Sequence, residues 1–406
     1  MSRIERFFSA VREVGAERLR LLGVLTGGHV FIHWFQQFYP VVLPSIKAGL
    51  GLNDVQVGAL NSARQFTQGT LDLPSGMLAD AMVRHRGLIL ASALGSMGAA
   101  YFLMGVSPTF FRALLGSGLV GVGTALWHPA ASASLSNSFP ERRATALAVH
   151  GMGATVGDTL TPLGAGLLLV AFHWESVLAL QLLPALIFGY LVWHGLAGVF
   201  AESTTHSWHG TALRAVADLA KNRLFLGICL ATALLQMGRL TVITFLPIYV
   251  QEDLGYSPFG LGVYIALLHA MGTVSQPIMG HLSDHWGRKA VLLPSFLALG
   301  ILFLLLAVAA PGLELAIVIS AIGLFFYTLI NITSAAVMDV AGSNIQASSF
   351  GLSSLVTQIV VFPTPVLAGY LVTAYGMTSA FLLSGGFLLV GALVLIPLNL
   401  YRGAGR

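Results

Sequence analysis

Twelve mostly apolar stretches dominate this chain, each near or above the about 20 residues a membrane-spanning helix needs, and no other feature restricts its fold as strongly. They fall at 21–44, 55–80, 87–106, 108–134, 143–171 and 176–199, then at 222–250, 258–283, 289–309, 312–338, 347–374 and 377–400. In hydrocarbon every backbone N–H and C=O must be paired within the protein, which leaves helices or a closed barrel. Runs of this length predict helices. Of the 406 residues, 56% are hydrophobic and 9% charged, where soluble domains carry about 25% charged residues. A soluble enzyme or nucleic-acid-binding protein is thereby excluded. The formal net charge of +4 points to no anionic partner, because the charges gather at the helix ends.

The stretches divide into six, a polar break, and six. The expected organisation is a cytoplasmic segment at 1–20, a six-helix bundle at 21–200, a cytoplasmic linker at 201–221, a second bundle at 222–400 and a tail at 401–406. Arg3, Arg6, Arg12, Arg18 and Arg20 precede the first run together with Glu5, Glu13 and Glu17. That is too long and too mixed in charge for a signal peptide, so an interfacial helix is expected there. Basic residues fall on the side of these arginines in nearly every loop, Lys47 being the exception, and the positive-inside rule then places both termini in the cytoplasm. A shift of 204 residues carries Leu50-Gly51 onto Leu254-Gly255, Gly58 onto Gly262 and Asp80 onto Asp284; a shift of 203 carries Pro162 onto Pro365 and Gly166 onto Gly369. The fold class expected is therefore an all-α membrane protein, with twelve transmembrane helices in two pseudo-symmetric halves and a central site between them.

The repeat includes a loop motif. Gly280-His281-Leu282-Ser283-Asp284-His285-Trp286-Gly287-Arg288-Lys289 is matched more weakly by Gly76 to Arg86, with Asp80 and Arg84 in register and Val83 where the later copy has Gly287. Gly-x-x-x-Asp-x-x-Gly-Arg-Lys between apolar helices resembles the cytoplasmic loop motif of the major facilitator superfamily. Arg112 with Gly116 and Gly118 resembles that family's helix-four motif. Gly153, Gly157 and Pro162 resemble its helix-five antiporter motif, with Thr161 in place of the glycine before proline. A looser resemblance to fosmidomycin-resistance efflux proteins runs through 33–44, Trp127-His128-Pro129 and 157–162. The resemblance implies alternating access, with Gly76, Asp80, Arg84, Gly280, Asp284, Gly287, Arg288 and Lys289 forming conformational latches that tie opposite halves together.

Charges at membrane depth are costly and mark function by default. None of Arg64, Asp72, Arg112, Asp158 and Arg239 recurs as a charge at the repeat-related position. Arg64, Gln68 and Asp72 step by four residues, which predicts a polar stripe with Gln68 linking two charges, structural or substrate-binding. Asp158 is the leading protonatable group, the alternative being a cap for a kink near Pro162. Arg112, His33, His128 and His150 are further proton-coupling candidates, each with an alternative role at the interface or in packing. His29 and His33 share a helix face at i and i+4; this spacing permits metal, but no zinc motif accompanies it and no metal site is expected. His29, His33, Arg64, Gln68, Asp72, Gln236, Arg239, Tyr327, Asn331 and Gln358 are candidates for the cavity, and the fork of Arg239 suits a carboxylate or phosphonate.

A proton-coupled antiporter exporting a small drug-like or anionic molecule is the expected function, with a proton-driven importer of an organic anion as the alternative and a membrane-embedded receptor or enzyme as a remote one. No Gly-x-x-x-x-Gly-Lys-Ser/Thr loop is present, which argues against ATP as the energy source. No cofactor and no nucleic acid are expected. The expected partners are substrate, protons and lipid, for a monomer in a bacterial inner membrane.

Overall fold

The computed structural model describes residues 15–106, 108–199, 219, 221–341 and 346–400, and among these the regular structure is entirely helical. The first helices are α1 (Ala16–Leu50), α2 (Asp54–Ala81), α3 (Arg86–Val106), α4 (Phe110–Ser138) and α5 (Arg143–Ala171). A sixth is broken into α6a (Trp174–Leu180) and α6b (Leu182–Gly195). After residues 200–218 come α7 (Arg223–Ile248), α8 (Pro258–Trp286) and α9 (Arg288–Leu305). Then follow α10a (Leu313–Phe326) and α10b (Thr328–Ala341), α11a (Gln346–Val361) and α11b (Thr364–Tyr375), and α12 (Thr378–Leu395). Residues 1–14 of the expected segment at 1–20, the expected tail at 401–406 and most of the expected linker lie outside the described residues.

Ten helical segments among the described residues are long and apolar enough to cross a membrane. The long helices α1 and α2 are not among the ten, because His29, His33, Gln36 and Gln37 dilute one and Arg64, Gln65, Gln68 and Asp72 the other. Both supply the polar groups described below. The first helix also starts earlier than its apolar run, at Ala16 rather than 21. Arg20 explains this: its Nε donates to the Gly195 carbonyl at 2.7 Å and its Nη2 to the His194 carbonyl at 3.0 Å. A cation there meets carbonyls at the C-terminal end of α6b, the end a positive charge favours.

Local signals fix the turns. Asn53 and Gln56 form a reciprocal capping box at the start of α2, and Ser257 caps α8 with Pro258 in its first turn, each satisfying N–H groups that a helix start leaves open. The repeat-related Gly51 and Gly255 both turn the chain with positive φ, 60° and 70°, a region closed to most side chains. At Gln181, between α6a and α6b, the side chain accepts from Trp34 Nε1 at 2.9 Å and donates to the Val177 carbonyl at 3.1 Å. At 362–363, Pro363 has no N–H to continue the helix.

Helices from before and after residues 200–218 cross closely at one end. A Cβ on Gly58 of α2 would overlap the Pro365 carbonyl of α11b, and one on Gly262 of α8 would overlap the Pro162 carbonyl of α5. Gly166 of α5 lies as tightly on Pro258, and Gly369 of α11b on Asp54. Small residues allow such backbone approach where no water drives helices together.

Candidate functional site

A cavity of about 160 Å³ lies between the two sets of helices. Its wall includes Gln36 and Gln37 of α1, Asn61, Arg64 and Gln65 of α2, Gln236 and Arg239 of α7, and Phe326 and Tyr327 where α10a ends. The Arg239 guanidinium stands over the Phe326 ring at 4.2 Å and the Tyr327 ring at 5.1 Å. Its Nη1 donates to Gln236 Oε1 at 2.8 Å, while its Nε is buried with no hydrogen-bond partner. Arg64 lies 5.5 Å from the Tyr39 ring. Among the described residues no carboxylate comes within 4.0 Å of either guanidinium. Two cations from different helix sets therefore face one cavity, with aromatic faces but no anionic counter-charge.

Of the other residues expected in this cavity, Gln68, Asp72, His29, His33, Asn331 and Gln358 are not on its wall. Among the described residues no side-chain hydrogen bond joins Gln68 to Arg64 or Asp72, so the expected stripe is not a linked network; a helix face four residues apart permits contact without requiring it. It is Gln65, one position from Arg64, that bonds Gln358 of α11a. Gln358 lines a smaller neighbouring hollow that shares Gln236 with the cavity. Asn331 donates to Gln276 Oε1 at 2.9 Å, tying α10b to α8.

Behind the α1 side of the cavity, the expected histidines converge. Gly153 and Gly157 seat α5 on the α1 backbone at Thr26 and Val30. This approach sets Asp158 Oδ1 2.7 Å from His33 Nδ1 and 2.8 Å from Gln37 Nε2. Both side chains of the His33–Asp158 pair are 15% exposed. Asp158 thus engages the polar side chains of α1. His29 Nδ1 meets the His150 carbonyl at 2.9 Å, the two imidazoles stack at 3.9 Å, and His128 of α4 reaches Gln36 Nε2 at 3.3 Å. Arg112 stands in the first turn of α4 and is not part of this group.

Sequence reasoning passed over His269 of α8, 2% exposed, stacked on Tyr327 at 5.2 Å with both ring nitrogens lacking hydrogen-bond partners. The repeat offered a signal: a shift of 204 places His269 on Gln65, beside the Arg64 already singled out.

The two loop motifs differ in geometry. At the later copy, Gly287 takes φ 96° and ψ 153°; Arg288 then opens α9, its Nη1 reaching Asp284 at 2.5 Å and its Nε reaching Asp339 of α10b at 2.9 Å. Lys289 Nζ donates to the Ile396 carbonyl at 2.5 Å. Val83 cannot readily adopt the positive φ of Gly287, and the chain makes a 3₁₀ turn over Val83–His85 instead. That turn leaves Arg84 exposed. Arg86, 2% exposed, takes the expected role, with Nη2 3.2 Å from Asp80 Oδ1 and Nε 2.9 Å from the Ala79 carbonyl. Both ion-pair groups stay within one set of helices, so the expected tie across opposite sets is not made here.

A tie across the sets occurs at the other end. Lys47 Nζ at the end of α1 lies 2.6 Å from Glu252 Oε2 and 2.8 Å from Asp54 Oδ1. These residues flank the Gly58–Pro365 and Gly262–Pro162 crossings.

A polytopic helical protein with a polar cavity between two helix sets is a membrane carrier in architecture. The chain belongs to the Major Facilitator Superfamily, whose family model matches residues 25–365 and 228–402. It is similar to an uncharacterized MFS-type transporter of Methanocaldococcus jannaschii, with 25% identity over 81% of this chain and 83% of the relative. It is also similar to a probable sulfoacetate transporter of Cupriavidus necator, with 24% identity over 94% of each. In fold it resembles a bacterial homolog of the human lysosomal transporter Spinster, solved inward-facing and unoccupied, with TM-score 0.77, 16% identity and coverage of 94% of this chain and 96% of that one. The protein is thus an integral multi-pass membrane transporter and not an enzyme.

Proposed function

We propose that this protein is a proton-coupled secondary transporter of a small organic anion, built from twelve spans in two six-helix halves with both termini cytoplasmic. The observation that carries the reading is the pair Arg64 and Arg239, facing one cavity without a carboxylate partner. A buried uncompensated charge is costly, and an anionic substrate supplies the missing counter-charge. Arg239, with its unpartnered Nε, offers the stronger donor. A volume of about 160 Å³ suits a compact carboxylate, sulfonate or phosphonate better than a drug-sized molecule. The similarity to a probable sulfoacetate transporter supports the same class.

The proton site in this reading is Asp158 with His33, and His269 is the titratable group on the facing helix set. Proton-driven import is favoured over the antiport expected from sequence. An inside-negative potential already expels anions, by about 2.3 kcal/mol per charge per 100 mV, so an anion importer has more need of a co-transported cation than an exporter has, and the proton takes that place in this reading. The equivalent crossings at Gly58 and Gly262, and the matching positive φ of Gly51 and Gly255, support the two-half reading.

The test is substrate-induced proton movement in proteoliposomes holding a pH dye, with sulfoacetate and a panel of small carboxylates and phosphonates, fosmidomycin included. Proton uptake together with an anion, lost in Arg239→Gln, is the expected result. Proton release on anion addition would mean exchange and restore the export reading; an uncharged substrate unaffected by Arg239→Gln would overturn the anion assignment.

A further inference from the structure

We infer that His29, His33 and His128 form a binding site for a borderline divalent cation of the Zn²⁺ class, behind the cavity wall. One ring nitrogen from each lies within 4.8 Å of the other two. In a tetrahedral site with Zn–N near 2.0–2.1 Å, ligand nitrogens stand about 3.3 Å apart. The widest separation needs to close by at most about 1.5 Å on that geometry, within reach of side-chain rotation. The rings meet edge to face, at 87° for His29–His33, 77° for His29–His128 and 76° for His33–His128.

The bonds behind the rings carry the argument further. A carbonyl only accepts, so His29 Nδ1, 2.9 Å from the His150 carbonyl, holds the proton and Nε2 holds the lone pair. That Nε2 is buried with no hydrogen-bond partner. His33 Nδ1 faces the Asp158 carboxylate at 2.7 Å, which leaves its Nε2 as the lone pair. Metal-bound histidines characteristically donate their second N–H to a carbonyl or a carboxylate, and this pair shows one of each. The Gln36 amide nitrogen can only donate, so His128 Nε2, 3.3 Å away, also presents a lone pair; a metal would displace this contact.

Three neutral imidazoles favour Zn²⁺ and its neighbours over Mg²⁺ or Ca²⁺, which seek oxygen. Asp158 behind His33 offsets part of the metal's charge. Three ligands leave a fourth coordination position for water or another small ligand. Because the ion and protons compete for the same lone pairs, occupancy falls as pH falls. None of this depends on the anion reading.

The experiment is titration of tag-free, metal-stripped full-length protein in detergent with Zn²⁺, and with Co²⁺ read by its visible absorption. The expected result is one ion per chain with tetrahedral Co²⁺ bands, and at least a tenfold loss of Zn²⁺ affinity in His29→Gln and in His128→Gln. Asp158→Asn, which keeps all three imidazoles, weakens binding about ten- to a hundredfold. The double variant His281→Gln/His285→Gln, altering an exposed pair whose rings lie 4.0 Å apart, keeps full affinity. Each variant is checked for a single monodisperse peak, and Asp158→Asn decides the matter should a histidine variant fail to fold. No stoichiometric binding, or affinity unchanged in His128→Gln or in Asp158→Asn, overturns the inference.

Discussion

Gly58 packs so closely on Pro365 that a side chain at residue 58 would overlap its carbonyl, and Gly262 stands in the same relation to Pro162. Both positions need the absence of a Cβ rather than an unusual backbone, since neither glycine has positive φ. Gly58→Val therefore forces α2 and α11b apart at the end that carries Lys47. Transport is expected to fall at least tenfold while the protein remains monodisperse, and Gln56→Cys, in a Cys229→Ser background, gains reactivity toward an aqueous maleimide. Wild-type uptake in Gly58→Val would show that this crossing need not close.

The two cavity arginines differ in their surroundings, and the difference is measurable. Arg239 has an unpartnered Nε and two aromatic faces, whereas Arg64 has one. Hydrogen bonds to charged groups contribute about 1.5–3 kcal/mol each, so Arg239→Gln is expected to raise the anion's KM about ten- to a hundredfold. Arg64→Gln has a smaller effect. Arg239→Lys restores part of the affinity, since it keeps the charge and loses the fork. Equal losses in Gln and Lys variants would mean that geometry alone matters there.

Asp158→Asn separates movement from coupling. Asparagine keeps a hydrogen bond to His33 but carries no titratable proton. Counterflow exchange of labelled anion is expected to survive within about threefold on the differential-binding view of conformational shifts. Accumulation against a gradient is lost and its pH dependence flattens. Accumulation at wild-type level in the variant would remove Asp158 from the proton path.

Lys47 and Glu252 join the ends of two helix sets with side chains 13% and 36% exposed. Partly exposed pairs contribute up to about 1 kcal/mol, enough to bias a conformational balance about fivefold. Lys47→Glu is expected to slow uptake by at least that order, and the exchange Lys47→Glu with Glu252→Lys to recover only part of it, since Asp54 still faces residue 47. A rate set by the pair's absence alone would show no recovery in the double variant.

Arg86 rather than Arg84 holds Asp80. Arg86→Ala is expected to cost about 1–3 kcal/mol, chiefly because it leaves the carbonyl of buried Ala79 without that donor, whereas the Asp80 side chain, 62% exposed, stays hydrated. Arg84→Ala changes stability by less than about 0.5 kcal/mol. Thermal unfolding in detergent distinguishes the two.

The helical class and most helix positions were legible, because hydrocarbon demands long apolar runs and the runs are plain in the sequence. Gly51, Gly255 and Gly287 stand out in the sequence through the repeat and the loop motif, while their positive φ is seen only in the fold. What depends on relations between distant helices was not legible. Arg64 and Arg239 stood out as charges in apolar runs, yet nothing in their spacing showed that they share a cavity. The pairing of His33 with Asp158 depends on how deeply Gly153 and Gly157 let α5 settle on α1. The motif points to Arg84 as the partner of Asp80 because it counts positions, while a valine at 83 changes the turn and so the reach of each arginine. His269 is as lone in its apolar run as His128 and His150, and only the repeat, which sets it on Gln65, distinguishes it in the sequence.

The interruption at Tyr327 makes α10b a lever. Its near end is the ring that touches Arg239 and His269, and its far part carries Asp339, the second carboxylate on Arg288. At 1.5 Å per residue the arm from Tyr327 to Asp339 is about 18 Å long, so a tilt of about ten degrees at the pivot moves the far carboxylate by about 3 Å on that length. That displacement is the difference between a made and a broken ion pair. Whatever fills the cavity therefore has a mechanical route to the Asp284–Arg288 loop that needs no contact with the loop itself.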